Sequence, residues 1–128
     1  NAVRHGVAER IHFLQADLLS AFSGRPSFAA IVSNPPYVTP EDFPGLPVHV
    51  RDYEPLMALT PPIPVEAFLA RLCCQAAVSL LPGGLLPLEM GLGQEELYRR
   101  LAEQAGLTVE AVLPDLAGIP RVLVARQN

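Results

Sequence analysis

Directly after an apolar run of five residues (Phe28, Ala29, Ala30, Ile31, Val32) stand Ser33, Asn34, Pro35, Pro36 and Tyr37. Asn34 offers a side-chain carbonyl that accepts hydrogen bonds. Pro35 and Pro36 cannot donate, and they hold the backbone extended, so carbonyl oxygens can face outward with no competing N–H. Tyr37 adds an aromatic face on which a flat group can stack. Together these groups suit a planar group carrying an NH2: two acceptors take its two hydrogens and the ring packs on its face. A Pro-rich turn headed by Asn explains the tetrapeptide alone about as well. Its place after a β run favours chemistry, because open α/β sheets bind ligands outside the carboxyl ends of their strands.

The other reactive residue types are sparser. Asp17 follows a strand-like run at 11–15, where an Asp is also a common turn former. Residues 39–64 form a long Pro-rich stretch holding Asp52, Tyr53, Glu54 and Pro55, and a loop this long in a compact domain is functional or disordered. His5, His12 and His49 are scattered and suggest neither a metal site nor a general base. Cys73 and Cys74 are adjacent in an apolar helical stretch, with no other Cys to pair with. Two small buried thiols in a reducing cytoplasm are expected there. Arg121 reads as structural, paired with an acid or a helix end. Glu89, at a strand end, reads equally as an acceptor behind the site or as an exposed carboxylate.

The elements that must position these residues follow from periodicity. The pattern predicts strands at 11–15 and 28–32, the second covered on both faces because its apolar run does not alternate. Residues 65–81 read as a helix: Val65, Phe68, Leu69, Leu72, Cys73, Ala76 and Leu80 form the i, i+3, i+4 stripe, and Pro64 stands where a helix start tolerates it. Pro82, Gly83 and Gly84 should stop it. A buried strand is expected at 85–90, where Pro87 should be borne only at a bulge or unpaired position. Residues 94–105 predict an amphipathic helix with Leu97, Leu101 and Ala105 inward and Gly106 as its cap. Strands at 109–113 and 121–125, with no helix between them, predict an antiparallel pair. The order β, β, α, β, α, β, β is that of an α/β layered domain.

Composition limits the alternatives. The chain has 128 residues, 14 of them Pro, and 9 Arg with no Lys against 13 Asp and Glu, for a net charge of -4. That balance offers no basic face for phosphates, which argues against a general nucleic-acid binder. Half the residues are apolar, which suits a packed domain, yet no run reaches the roughly 18 residues of a membrane span.

With these residues in view, the chain resembles a known family. Asn34-Pro35-Pro36-Tyr37 at the end of a fourth strand is similar to the signature of class I S-adenosylmethionine-dependent methyltransferases acting on exocyclic or amide nitrogen. Two clades share it, the adenine-N6 DNA methyltransferases and the HemK/PrmC-type protein glutamine-N5 methyltransferases. The surroundings resemble the second. Asn1-Ala2, Arg4-His5-Gly6 and Arg10-Ile11-His12-Phe13 leading to Asp17 look like its third-strand segment. Tyr53-Glu54-Pro55-Leu56 with Ala58-Leu59 resembles its aromatic-Glu-Pro-leucine element. Leu81-Pro82-Gly83-Gly84 and Leu88-Glu89-Met90-Gly91 with Gln94 look like its fifth strand, and Asp115-Leu116-Ala117-Gly118 with Arg121-Val122 like its closing hairpin. The chain departs from the family at Thr60-Pro61-Pro62-Ile63-Pro64, where a Gly- and Asp-rich turn is usual, and at Pro87.

The resemblance implies a Rossmann-like class I sheet, mostly parallel with an antiparallel C-terminal hairpin, and incomplete. In the family order 3-2-1-4-5-7-6 these residues would supply strands 3, 4, 5, 6 and 7. The cofactor's Gly-rich loop and ribose-binding acid would precede Asn1, so that residues 1–128 form the C-terminal portion of one catalytic domain. S-adenosylmethionine is implied as cofactor, with Asp17 and Leu18 bordering its adenine and Asn34 facing both its methyl group and the substrate. Asn34, Pro35, Pro36 and Tyr37 would be catalytic and substrate-binding, and Glu54 would join them in substrate binding by bracing the loop rather than reacting. The implied partner is a peptide-chain release factor, methylated on the glutamine of a Gly-Gly-Gln motif, with no metal, membrane or direct nucleic-acid partner. Adenine in a nucleic acid, or a fragment that cannot hold cofactor, are the alternatives.

Overall fold

A computed structural model describes residues 1–22 and 24–128. Its sheet has four strands: β1 (Phe28–Ala30), β2 (Leu80–Glu89), β3 (Leu107–Pro114) and β4 (Pro120–Gln127), in the order β1-β2-β4-β3. The β1–β2 pair is parallel and the other two pairs are antiparallel. This is the 4-5-7-6 portion of the expected order, closing hairpin included. Between β1 and β2 lie two one-turn helices, α1 (Val48–Arg51) and α2 (Leu56–Leu59), then the long crossover helix α3 (Val65–Ser79) that a parallel pair requires. Helix α4 (Glu95–Gln104) joins β2 to the hairpin.

Leu69, Leu72, Cys73 and Ala76 of α3 meet Leu80, Leu86 and Leu88 of β2, Tyr98, Leu101 and Ala102 of α4, and Leu123 and Ala125 of β4 in a single core. Alternation along β2 turns Leu86 and Leu88 to this core, both fully buried, and leaves Leu85, Pro87 and Glu89 partly exposed. Leu88→Ala is therefore expected to destabilise the fold by about 2–5 kcal/mol, read as a lowered denaturation midpoint.

The Pro82-Gly83-Gly84 group does not end the helix as expected; α3 stops at Ser79 and the group lies inside β2. There the register jumps from Phe28↔Leu80 to Ala30↔Leu85, which makes the group a bulge. Gly83 has φ +77°, and a Cβ on Gly84 would lie 2.8 Å from the Leu81 carbonyl oxygen and 3.1 Å from that of Phe28. Pro87, by contrast, is at no bulge: it pairs regularly with Val124. The Ile31 N–H bonds the Leu85 carbonyl, the Ser33 N–H bonds that of Pro87, and the Glu89 N–H bonds that of Ser33. This alternation aims the Pro87 nitrogen at β1, where one ladder bond is missing.

Further expectations fail for identifiable reasons. Residues 11–15 form no strand and are exposed, Phe13 at 85%. A strand needs partners for its backbone groups, and none of the four strands of the sheet pairs with this run. For the same reason β1 is short and uncovered: Ala29 and Ala30 are exposed, and Val32 is 77% exposed. Of the two thiols only Cys73 is buried, on the inward stripe of α3; Cys74, one residue on, points outward. Burial pushes the Cys73 thiol up to about 11, which leaves it protonated and inert. In α4 the buried stripe is Tyr98, Leu101 and Ala102, with Leu97 only partly covered. The Pro-rich stretch is structured, holding α1, α2 and a 3₁₀ turn at Phe43–Gly45.

Candidate active site

A bridge between Ser33 and Leu88 carries the chain from β1 into Asn34–Tyr37, beside the carboxyl end of β2. Tyr37 is then held at both ends. Its hydroxyl donates to Glu89 Oε1 at 3.2 Å, and its carbonyl accepts from Gln94 Nε2 at 2.9 Å. Gln94 Oε1 in turn accepts the Gly91 N–H at 3.0 Å. The approach is close: a Cβ on Gly91 would lie 2.9 Å from Gln94 and 3.1 Å from the Tyr37 ring. On the other side, the Val38 N–H bonds the Leu59 carbonyl at 3.0 Å and so attaches α2 to the site.

Within this frame Pro35 is buried and Asn34 is exposed. Among the described residues, no group of the chain bonds the Asn34 side-chain amide, and none takes the carbonyls of Asn34, Pro35 or Pro36. Asn34, Pro35, Tyr37 and Val38 line a cavity of about 190 Å³, closed on its other side by Leu46, Val50, Ala58 and Leu59. Its lining thus joins two residues with unpartnered acceptors, Asn34 and Pro35, to four aliphatic side chains.

The electrostatics come from the strand ends. Burial, then the neighbouring Glu89 carboxylate, pushes the Tyr37 phenol above its ordinary value of 10, while the Arg121 guanidinium opposes this. Arg121 is fixed by Asp115 Oδ2 at 3.2 Å, which is the acid partner expected for it. Asp115 also accepts the N–H groups of Ala117 and Ile119, and these bonds hold its carboxyl below the usual range. Beneath lies Tyr98, 1% exposed, whose hydroxyl has no partner among the described residues. Removing the hydroxyl-to-Glu89 bond in Tyr37→Phe should lower stability by about 1 kcal/mol, measured by thermal unfolding. That difference is fully present below pH 10, the ordinary phenol value, and is lost as pH rises through the raised value.

The structure separates the expected site residues into two groups. Asn34, Pro35, Pro36 and Tyr37 stand together, and Glu89 is the acceptor behind Tyr37. Asp17 and Leu18 do not line that cavity. The exposed Asp17 pairs with Arg71 of α3 at 2.5 Å, and Leu18 packs on the core in a left-handed conformation, φ +52°. Glu54 is exposed, and its carboxylate makes no bond among the described residues. The wall is made instead by Leu46, Val50, Ala58 and Leu59. Their sequence signal is faint: apolar residues in a Pro-rich stretch show no periodicity until the one-turn helices set their direction. Gln94 and Gly91 appear in the sequence only as part of a strand-end resemblance, and their joint hold on Tyr37 needed three dimensions.

No protein-family model matches the chain. Individual proteins do. A release factor glutamine methyltransferase of Bradyrhizobium diazoefficiens is 40% identical over 128 residues, covering 99% of this chain and 42% of that protein. One from Moorella thermoacetica is 41% identical, covering 98% of this chain and 44% of that protein. The chain thus spans a little under half the length of these curated relatives. Among solved structures, a candidate DNA modification methylase of Thermus thermophilus superimposes with a TM-score of 0.55 at 19% identity, covering 88% of this chain and 52% of that one. The same protein complexed with S-adenosyl-L-methionine gives 0.53 at 20% identity, covering 87% and 53%. At such identity the likeness establishes the fold alone. In sequence the chain is similar to the C-terminal part of release factor glutamine methyltransferases, and in structure it shares the Rossmann-like fold of the methylase it superimposes on.

Proposed function

We propose that residues 1–128 are the C-terminal portion of a single methyltransferase catalytic domain. The intact enzyme moves a methyl group from S-adenosylmethionine to the side-chain amide nitrogen of a protein glutamine. Its substrate is a peptide-chain release factor, modified in the cytoplasm at the glutamine of a Gly-Gly-Gln motif. The observation that carries this reading is that Asn34 and Pro35, whose acceptors have no partner among the described residues, line one cavity with Leu46, Val50, Ala58 and Leu59. A glutamine side chain has the matching parts: two amide hydrogens at the tip and a methylene stem behind it.

The open Asn34 side chain also fits the cofactor, whose reactive end would lie against it. Asp17 has one carboxylate oxygen committed to Arg71 and keeps the other for the adenine amino group. When bound, S-adenosylmethionine would supply an electrophilic methyl whose bond to sulfur breaks as the bond to nitrogen forms, one amide proton then leaving to water. The amide nitrogen it must reach is a poor nucleophile, because its lone pair is delocalised into the carbonyl. Asn34 Oδ1 and the Pro35 carbonyl accept its two N–H hydrogens, which fixes the nitrogen and raises its electron density. Orientation of this kind contributes up to roughly 7–11 kcal/mol in ideal cases. The Tyr37 ring, immobilised by Glu89 and Gln94, bounds the position of the amide plane.

Adenine-N6 methylation is the second reading, since an exocyclic NH2 meets the same acceptors. A net charge of -4 without Lys weighs against it, because a duplex substrate needs a cationic groove. Labelled methyl transfer from S-adenosylmethionine by the intact enzyme, offered a release factor and duplex DNA separately, decides between them. Label in protein is expected, and label in DNA alone would refute the reading. Calorimetry with S-adenosylmethionine on residues 1–128 tests the remaining alternative, a piece unable to hold cofactor by itself.

A further inference from the structure

Gln94 stands at the N-cap of α4, a place where Ser, Thr, Asp or Asn would cap the helix with a side-chain oxygen. Gln94 makes no such cap bond. Both halves of its amide are used elsewhere. The oxygen accepts the Gly91 N–H at 3.0 Å and the nitrogen donates to the Tyr37 carbonyl at 2.9 Å. These two bonds fix which way the amide faces, because a flip would set NH2 against N–H and oxygen against oxygen. Gly91 shares the constraint, since any side chain there would strike Gln94 or the Tyr37 ring. At the other end of the residue, Glu89 accepts the Tyr37 hydroxyl. A position that forgoes local helix capping to grip a loop 57 residues away is one where local rules yield to the site.

We propose that Gln94 and Glu89 are positioning residues that hold Tyr37 by its carbonyl and its hydroxyl, and thereby hold the Asn34, Pro35 and Pro36 acceptors in register with the substrate amide. This rests on the methyltransferase reading above and adds to it the residues that set the acceptor geometry. Binding the Tyr37 carbonyl also removes it as a competing acceptor, which leaves the three preceding carbonyls and the Asn34 side chain as the open ones. A shift of about 1 Å in such groups costs roughly a hundredfold in rate.

Three variants of the intact enzyme test this. Gln94→Glu keeps an acceptor for the Gly91 N–H but cannot donate to the Tyr37 carbonyl when ionised. Gln94→Ser gives α4 a favoured capping side chain and releases Tyr37. Gln94→Ala removes both bonds. For Glu and Ser we expect kcat to fall roughly ten- to a hundredfold, with KM for S-adenosylmethionine nearly unchanged and, for Ser, an unfolding temperature equal to or above that of the wild type. A purely structural Gln94 would move stability and rate together. Wild-type kcat in both variants would overturn the proposal, as would rate losses matched by loss of stability. Hydrogen exchange without cofactor is read in parallel: the Gly91 amide should lose protection in Gln94→Ala and keep it in Gln94→Glu, and unchanged protection in Gln94→Ala would refute the clamp. If the wild-type enzyme methylates no glutamine, the functional reading falls, while the exchange result still decides whether Gln94 holds this turn.

Discussion

Asn34→Ala is expected to lower methyl transfer by the intact enzyme about 10²–10³-fold, the usual consequence of deleting one preorganised hydrogen-bonding group at a reacting centre. Cofactor binding should survive in part. The asymmetry follows from the geometry. Asn34 is exposed at the strand end, unbonded to the rest of the chain, and supplies the acceptor edge of the cavity. Its removal leaves no buried partner orphaned, so the fold is little disturbed. The substrate amide, however, keeps only one fixed acceptor and can rotate away from the line of attack. The kinetic signature is a fall in kcat and kcat/KM together, as expected for an interaction made at the transition state. Turnover at the wild-type rate would remove Asn34 from the mechanism.

The second large effect concerns the chain by itself. β1 pairs with β2 on one side only, and Ala29 and Ala30 in it, with Val32 just beyond it, are exposed. An uncovered strand edge is a template for a second chain. Residues 1–128 alone should therefore be marginally stable or self-associating, with sedimentation velocity showing dimers or larger species that grow with concentration. Val32→Lys places a charge on that edge and should shift the distribution toward monomer. A monodisperse monomer with a sharp, high melting transition would contradict this account of the edge.

These two expectations also show what could be read from residues alone. Helices α3 and α4 and the β3–β4 hairpin were legible because each buries a periodic stripe within this chain, so local pattern and tertiary packing agree. Asn34–Tyr37 was legible because its residue types are restrictive and follow a strand. The run at 11–15 has strand composition yet no strand, since pairing partners decide strand formation and composition does not. Pro87 misled for a related reason: one missing ladder bond on the β1 side is tolerated while the β4 side stays in register. The aliphatic wall of the cavity and the grip of Gln94 on Tyr37 depend on contacts between distant segments, which no local pattern encodes. Asp17 shows the reverse case. Its role was assigned by resemblance, and within these residues it pairs with Arg71 away from the Asn34 cavity.

The central claim is that the open acceptor edge of Asn34 and Pro35 receives a glutamine side-chain amide. Its most direct test is fragmentation mass spectrometry of a release factor incubated with the intact enzyme and S-adenosylmethionine. One added methyl on the amide nitrogen of the Gly-Gly-Gln glutamine, accumulating about 10²–10³-fold more slowly when Asn34→Ala replaces the wild type, is the predicted result. An unmodified glutamine, or the methyl on another residue of the release factor, would contradict it.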